Sequence, residues 1–321
     1  MVNDKTLTIN ENFNLAVKNH QEGKIDIAQA LYNQVLKIDP NFVNAHNNLG
    51  VILQELGELQ KAKSCYEKVI EIDPSYVKAH NNLGVIFKEL GEKQKAKECF
   101  KKAIEIDPGC VKVHNNLGVT LQELGEHQKA KNYYEKAIEI NPNYANSYYN
   151  LGVLFKKLRE IEKAKSYYEK AIEIDPSYVD AYNNLGVIFK ELGEKQKAKE
   201  CFKKAIEIDP GSIKMHNNLG VILQELGENQ KAKECFEKAI KINPNYADAH
   251  NNLGVIFKEL KEYQKAKSCI EKALEIDPLN KKYMITYGDT LIFLNDKFKG
   301  YDYIKKGQGV IKFTPLYSRI I

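Results

Sequence analysis

The sequence predicts an all-α solenoid, a stack of helical hairpins in place of one or two globular domains. Three observations predict it. Prolines stand at Pro40, Pro74, Pro108, Pro142, Pro176, Pro210, Pro244 and Pro278, each 34 residues after the last. Glycines keep the same interval at Gly50, Gly84, Gly118, Gly152, Gly186, Gly220, Gly254 and Gly288. Within every interval, apolar residues recur at helical spacing in two separate runs. A period held this long is a tandem array. It overrides the roughly two domains that a chain of 321 residues suggests.

Each unit ends two residues after its proline, so eight repeats run from 9–42 and 43–76 through to 247–280, behind a lead-in of 1–8. In 77–110, Val77, His80, Leu83, Gly84, Phe87 and Leu90 share one face and give a first helix. Gly91 supplies the left-handed residue that ends it. Ala96, Phe100, Ala103 and Ile104 form the stripe of a second helix, which Asp107-Pro108 stops. One hairpin cannot bury its stripe alone, and stacking the hairpins makes a continuous core. The first repeat keeps only Ala28, Tyr32 and Pro40 of the pattern. Its first helix carries Asn10, Asn12, Asn14 and Asn19, which suits a polar N-terminal cap.

A degenerate ninth copy occupies 281–306, with Tyr283, Tyr287, Leu291 and Leu294 on a first helix and Gly300, Tyr303 and Ile304 on a second. The remaining 307–321 is apolar and basic. It reads either as a cap folded over the last repeat or as a tail leading to a partner. A slower period of three units lies above the first: 75–109 and 177–211 differ only at Lys78/Asp180 and His80/Tyr182. Arg159 and Lys261, which replace the turn glycine, keep the same offset. The array grew by copying a three-repeat block.

A 34-residue hairpin with Leu49-Gly50, Ala62, Tyr66 and Pro74, then Ala96, Phe100, Ala103 and Pro108, resembles the tetratricopeptide repeat (TPR) family. The resemblance covers roughly 9–306. It implies a right-handed superhelix whose first helices line a concave groove, and a role in binding proteins. One departure is consistent. The position often held by tryptophan carries His46, His80, His114, Tyr148, Tyr182, His216 and His250.

Asparagine is the strongest functional signal. Position 6 of the repeat reads Asn48, Asn82, Asn116, Asn150, Asn184, Asn218 and Asn252, and position 5 adds Asn47, Asn81, Asn115, Asn183, Asn217 and Asn251. Asparagine is a mediocre helix former, so this column opposes local propensity. An amide has both donor and acceptor, and a ladder of them spaced by one repeat can hold an extended peptide by its main chain. Alternatively, each amide bonds only the next repeat or water. The Asn-Asn-Leu-Gly repeats are similar to the TPR superhelix of O-linked N-acetylglucosamine transferases, which implies binding of substrate peptides.

Lys88, Lys156, Lys190 and Lys258 at position 12, opposite glutamates at position 13, are expected to select side chains of that peptide. Charges at positions 2, 12 and 13 cancel over the array, and a nucleic-acid groove needs a basic excess, so no nucleic-acid partner is expected. The family's clamp for acidic tails needs Lys at 5, Asn at 9 and Lys/Arg at 6. Here position 9 is valine and position 6 asparagine, so that clamp is absent.

Histidines spaced one per repeat, with no second ligand a helical turn away, predict packing and no metal. Cys65, Cys99, Cys201, Cys235 and Cys269 share position 23. Equivalent helices in a stack stand about 8–10 Å apart, too far for a disulfide. No nucleotide-binding, hydrolase or zinc-protease motif occurs, so no catalysis and no cofactor are expected. The runner-up is the substrate-recruiting arm of a modifying enzyme whose catalytic domain lies elsewhere. No run of 18 apolar residues and no secretory leader is visible, which points to the cytoplasm. Near-identical repeats leave end-to-end association of copies open. The net charge of +5 has one address: eight bases face three acids in 281–321, and 1–280 is neutral.

Overall fold

The computed structural model describes residues 8–308, and all regular structure among them is helical. The chain divides into two compact units, Met1–Ile174 and Asp175–Ile321. The first unit holds α1 (Ile9–Gln21), α2 (Ile25–Ile38), α3 (Val43–Glu55), α4 (Leu59–Ile72), α5 (Val77–Glu89), α6 (Lys93–Ile106), α7 (Val111–Glu123), α8 (His127–Ile140), α9 (Ala145–Lys157) and α10 (Ile161–Ile174). The second holds α11 (Val179–Glu191), α12 (Lys195–Ile208), α13 (Ile213–Glu225), α14 (Asn229–Ile242), α15 (Ala247–Glu259), α16 (Tyr263–Ile276), α17 (Lys281–Phe293) and α18 (Lys297–Gln308). Odd-numbered first helices pair with the even-numbered second helices that follow them, and within each unit successive hairpins stack in chain order.

The turn inside a hairpin follows from one backbone angle. Gly57 has φ +75°, its N–H donates to the Gln54 carbonyl at 2.9 Å, and the next N–H, of Glu58, reaches the Leu53 carbonyl at 2.8 Å. These two bonds satisfy carbonyls that the end of α3 leaves open. Arg159 and Lys261 take the same turn at φ +62°. Their N–H groups and those of Glu160 and Glu262 repeat the bonds, so the geometry is kept at the cost of a side chain in the left-handed region. Between hairpins, the residue before proline is pushed into the extended region. Asp73 has φ −131°, and its carboxylate accepts the Ser75 N–H at 2.9 Å and the Ser75 hydroxyl at 2.6 Å.

The recurrent glycine at position 8 is there for contact. A Cβ on Gly118 would lie 2.5 Å from the Tyr134 ring, and one on Gly84 2.6 Å from the Phe100 ring. In the six hairpins with Gly50, Gly84, Gly118, Gly152, Gly186 and Gly220 the two helices therefore touch, backbone against aromatic ring, and Gly254 meets Ile270 in the same way. Ala62, Ala96, Ala130, Ala164, Ala198 and Ala232 are wholly buried on the same helices as these rings, as is Ala266 on the helix of Ile270, and close packing of this kind leaves no room for a methylene.

The ends are built differently. Thr8 caps α1 by a reciprocal pair of bonds: its hydroxyl accepts the Glu11 N–H at 3.2 Å, and its own N–H donates to the Glu11 carboxylate at 2.7 Å. Asn12 and Asn19 are buried, while Asn10 and Asn14 face outward. At the other end α17 and α18 approach through glycines, a Cβ on Gly288 falling 2.5 Å from the Gly300 carbonyl oxygen. The expectation of a cap or tail at 307–321 lies, from 309 onward, outside the described residues.

Candidate functional site

The asparagines meet one another. Across neighbouring first helices the position-6 amide nitrogen donates to the position-5 amide oxygen of the preceding repeat: Asn116 to Asn81 at 3.0 Å, Asn150 to Asn115 at 2.9 Å, Asn218 to Asn183 at 3.0 Å and Asn252 to Asn217 at 3.0 Å. Within a repeat the position-5 nitrogen donates to the position-6 oxygen, from Asn47 to Asn48 at 3.1 Å, Asn81 to Asn82 at 3.2 Å, Asn183 to Asn184 at 3.3 Å and Asn251 to Asn252 at 3.4 Å. Asn48 also donates to the Tyr32 hydroxyl at 3.2 Å. Each unit thus carries a chain of amides along its first helices.

Position 5 is buried and position 6 half-buried, apart from Asn252, which is buried. Burial explains why the amides pair, since an unpaired buried amide is costly. The inter-repeat bond uses one N–H of a position-6 amide such as Asn116, and each amide owns two N–H groups and two oxygen lone pairs. The sequence reading named position 6 as the ladder and did not foresee position 5 as its acceptor. Two adjacent asparagines recurring in six of the eight repeats is the signal that could have told.

Positions 12 and 13 also pair from repeat to repeat. Gln54 donates to Glu89 at 2.9 Å and Gln224 to Glu259 at 2.7 Å. Lys190 lies 3.3 Å from Glu225, and Lys258, whose next copy has Phe293 at position 13, lies 3.6 Å from Asp289 at position 9 instead. Lys88 and Lys156 are half-buried on the same edge of their helices. Two parallel rows therefore bind neighbouring repeats together, one of neutral amides and one of mixed charge.

The position-4 histidines have a defined task. Each Nε2–H donates to the carbonyl of the preceding repeat's proline: His46 to Pro40, His80 to Pro74, His114 to Pro108 and His250 to Pro244 at 2.9 Å, and His216 to Pro210 at 3.0 Å. A carbonyl only accepts, so the Nε2–H tautomer is the one these bonds require. The residues that tryptophan would otherwise occupy here staple the connecting loop to the next helix. Burial pushes the thiols of Cys65, Cys99, Cys235 and Cys269 up to about 11, which makes them packing groups and poor nucleophiles. At the N-cap of α8, Glu126 accepts from Lys97 and Lys129, both at 2.6 Å. Hydrogen bonds to these two lysines hold its carboxyl down to about 2.

Family models described as "Tetratricopeptide repeat" match residues 43–76, 77–110 and 179–212, and again 110–177 and 211–278; one described as "TPR repeat" matches 19–57. The chain is a TPR protein. Comparison with curated proteins gives no match. Among solved structures, this TPR chain is similar to YrrB, "a TPR protein with an unusual peptide-binding site", at 26% identity and TM-score 0.51, over 59% of this chain and 97% of YrrB. It is also similar in fold to a chain of the APC/C hetero-tetramer Cut9–Hcn1, at 19% identity and TM-score 0.62, over 83% of this chain and 52% of that one. PilF of Pseudomonas aeruginosa matches at 22% identity and TM-score 0.58, over 66% and 96% of the two chains. No helix among the described residues is long and apolar enough to cross a membrane.

Proposed function

We propose that this TPR protein is a non-catalytic binding scaffold that holds an extended peptide or protein segment on the first-helix face, reading its main chain with the asparagines. One observation carries the proposal: amide bonds between neighbouring repeats recur in both units, and Asn116, Asn150 and Asn218 each give one of their two N–H groups to them, keeping a second N–H and the amide oxygen. Asn48, Asn82, Asn184 and Asn252 extend the row. Backbone groups have the same spacing in every sequence, so an amide column suits a ligand without fixed side chains. Lys88, Lys156, Lys190 and Lys258, at the edge of the row, bias the ligand by charge. The peptide-binding site named for the similar protein YrrB supports the same reading.

The test is N-methylation scanning of peptides selected on the intact chain from a random library. Main-chain reading predicts that methylating alternate amides weakens binding by about tenfold or more, whereas alanine in place of most side chains costs little. Binding that follows side chains and ignores N-methylation would sink the proposal. An Asn116→Ala/Asn218→Ala variant, checked for retained helicity by circular dichroism, is expected to lose the N-methylation sensitivity in proportion.

A further inference from the structure

In the second unit, α14, α15 and α16 border a cleft of about 570 Å³. Ile240, Leu253 and Cys269 give it an apolar floor, and Glu237, Glu271 and Glu275 stand around it. Its only lysine, Lys272, is held by Glu275 at 2.8 Å. Glu237 lies 3.8 Å from Lys233, and Glu271 accepts the Tyr287 hydroxyl at 2.6 Å and lies 3.7 Å from Lys267. Each carboxylate engages only one of its two oxygens among the described residues, so all three keep an acceptor facing water. Burial, and after it the negative charge of Glu237, push the Cys269 thiol up to about 11. The glutamate of one second helix therefore acts on the floor contributed by the next.

The repeats show why this place differs from its equivalents. Position 25 reads Asn33, Glu67, Lys101, Glu135, Glu169, Lys203, Glu237 and Glu271, so glutamate falls on two successive second helices only at α8–α10 and α14–α16. On α10 position 23 is Tyr167, whose ring stacks on Phe155 with centroids 5.3 Å apart. On α16 it is Cys269, which has no ring to fill the space. An acidic pair beside a small side chain thus occurs once in the eight repeats.

An acidic rim over an apolar floor is complementary to a basic, apolar segment, and the chain has one within reach. Residues 309–321 carry Val310, Ile311, Phe313, Leu316 and Ile320, with Lys312 and Arg319 and no acid. Gly307, near the end of α18, packs on the start of α17, where a Cβ would lie 2.7 Å from the Lys281 carbonyl oxygen, and α16 ends five residues before Lys281. The segment therefore departs beside the last turn of α16, which holds Glu275. Its 13 residues span at most about 43 Å when extended, several times the spacing of about 8–10 Å between packed helices. The outer face of α18 is the other apolar surface nearby, with Phe298 89% exposed. That helix carries Lys297, Lys299, Lys305 and Lys306 against Asp302, a charge that repels a basic segment.

We infer that residues 309–321 dock in this cleft of their own chain, apolar side chains on Ile240, Leu253 and Cys269, and Lys312 and Arg319 against the glutamates. Tethering holds the segment at an effective concentration on the order of millimolar, so weak contacts suffice to fill the site. The contact closes a second-helix surface to basic, apolar segments of other proteins. It is independent of the peptide reading of the first-helix face.

The experiment follows maleimide labelling of the full chain, the rate at each cysteine being read by mass spectrometry of its peptide. Cys65, at the same repeat position in the first unit, is the internal control. Phe313→Asp/Leu316→Asp is expected to raise the Cys269 rate about fivefold or more and to leave Cys65 within about twofold. Glu237→Gln/Glu275→Gln is expected to raise the Cys269 rate about threefold. A synthetic 309–321 peptide at millimolar concentration should restore protection in the Phe313→Asp/Leu316→Asp variant and add little to the wild type. An unchanged Cys269 rate in that variant overturns the inference. Strong protection of wild-type Cys269 by the added peptide overturns it too, because the cleft then stands open to a segment of another protein. Protection that disappears on dilution assigns the docked segment to a second copy and overturns the contact within one chain. Glu237 and Glu275 are exposed, and Phe313 and Leu316 lie beyond α18, so both variants are expected to keep their helicity, checked by circular dichroism.

Discussion

Residues 75–109 and 177–211 are one stretch written twice, in two different units of the molecule, and they fold alike. Gly84 meets the Phe100 ring as Gly186 meets that of Phe202, at 2.6 and 2.8 Å for a Cβ. Asn81 accepts from Asn116 and Asn183 from Asn218, both at 3.0 Å. The two differing positions lie on first helices: His80 staples the loop at Pro74, where its copy is Tyr182, and Lys78 is exposed, where its copy is Asp180. Copying has kept the glycine–ring contact and the inter-repeat amide bond and changed two first-helix residues, one of them exposed. The hairpin frame and the exposed first-helix positions are therefore separable, and each can be perturbed alone.

The frame gives the largest effect. Gly84→Ala and Gly186→Ala each drive a methyl into an aromatic ring across the hairpin, and each is expected to cost about 1–3 kcal/mol. Because the local packing is the same, the two losses should agree closely. Urea unfolding followed by hydrogen exchange, which reports each hairpin, checks both the size and the equality. In a solenoid the loss should stay near the substituted repeat and its neighbours. A Gly186→Ala variant unfolding no more readily than wild type would show that the rings move aside, and that contact at position 8 is not what fixes the hairpin.

How far the sequence could be read follows the same division. The 34-residue period, Gly91 at the turn, Asp107-Pro108 at the loop and the stripe of Ala96, Phe100 and Ala103 are local patterns, and each has one structural meaning. They sufficed for the family and the fold. The amide chain was harder. Asn115 and Asn116 are neighbours in sequence, but Asn116 donates to Asn81 and Asn115 accepts from Asn150 and from Ser147. Which partner an amide finds depends on the offset between stacked helices, and no residue in the sequence encodes that offset. The bond from the position-4 histidines to the proline carbonyls was hidden for the same reason. Packing was predicted from spacing, and the carbonyl that fixes the ring is contributed by the backbone.

A smaller effect sharpens the comparison at the turns. Arg159 and Lys261 sit at φ +62° where six other repeats have glycine at φ +73° to +80°. A left-handed non-glycine residue costs about 1–2 kcal/mol, and glycine returns part of that through its greater freedom when unfolded. Arg159→Gly and Lys261→Gly are each expected to stabilise by about 0.5–1 kcal/mol net, one in each unit and to the same extent. Thermal melts of the two single variants and the double variant check this, with additive shifts expected because the sites lie in separate units. A destabilised Arg159→Gly would mean that the arginine side chain makes a contact worth more than the strain.

The smallest effect lies at the N-caps of two second helices, α8 and α14, and its sign is fixed by linkage. Glu126 is held by Lys97 and Lys129, and its copy Glu228 by Lys199 at 2.6 Å and Lys231 at 2.7 Å. Hydrogen bonds to those lysines bring both carboxyls from the ordinary 4.5 down to about 2. A carboxyl depressed in the folded state stabilises it fully above the unfolded value, and the contribution is lost as pH falls through the folded one. The window is therefore about pH 4.5 to 2, and near neutrality these pairs give no pH dependence. Each lysine pair joins one repeat to the next, Lys97 from α6 and Lys199 from α12 reaching across, so the loss on acidification is expected to fall on the boundaries between hairpins. Melting temperature against pH for wild type and for Glu126→Gln/Glu228→Gln tests this. The wild type should lose more over that window, and the variant should be the flatter of the two. Both glutamates are surface groups screened by water and salt, so the difference should shrink at high ionic strength. Parallel curves at low salt would show that the paired lysines find equivalent partners and that these bridges add nothing to the stack.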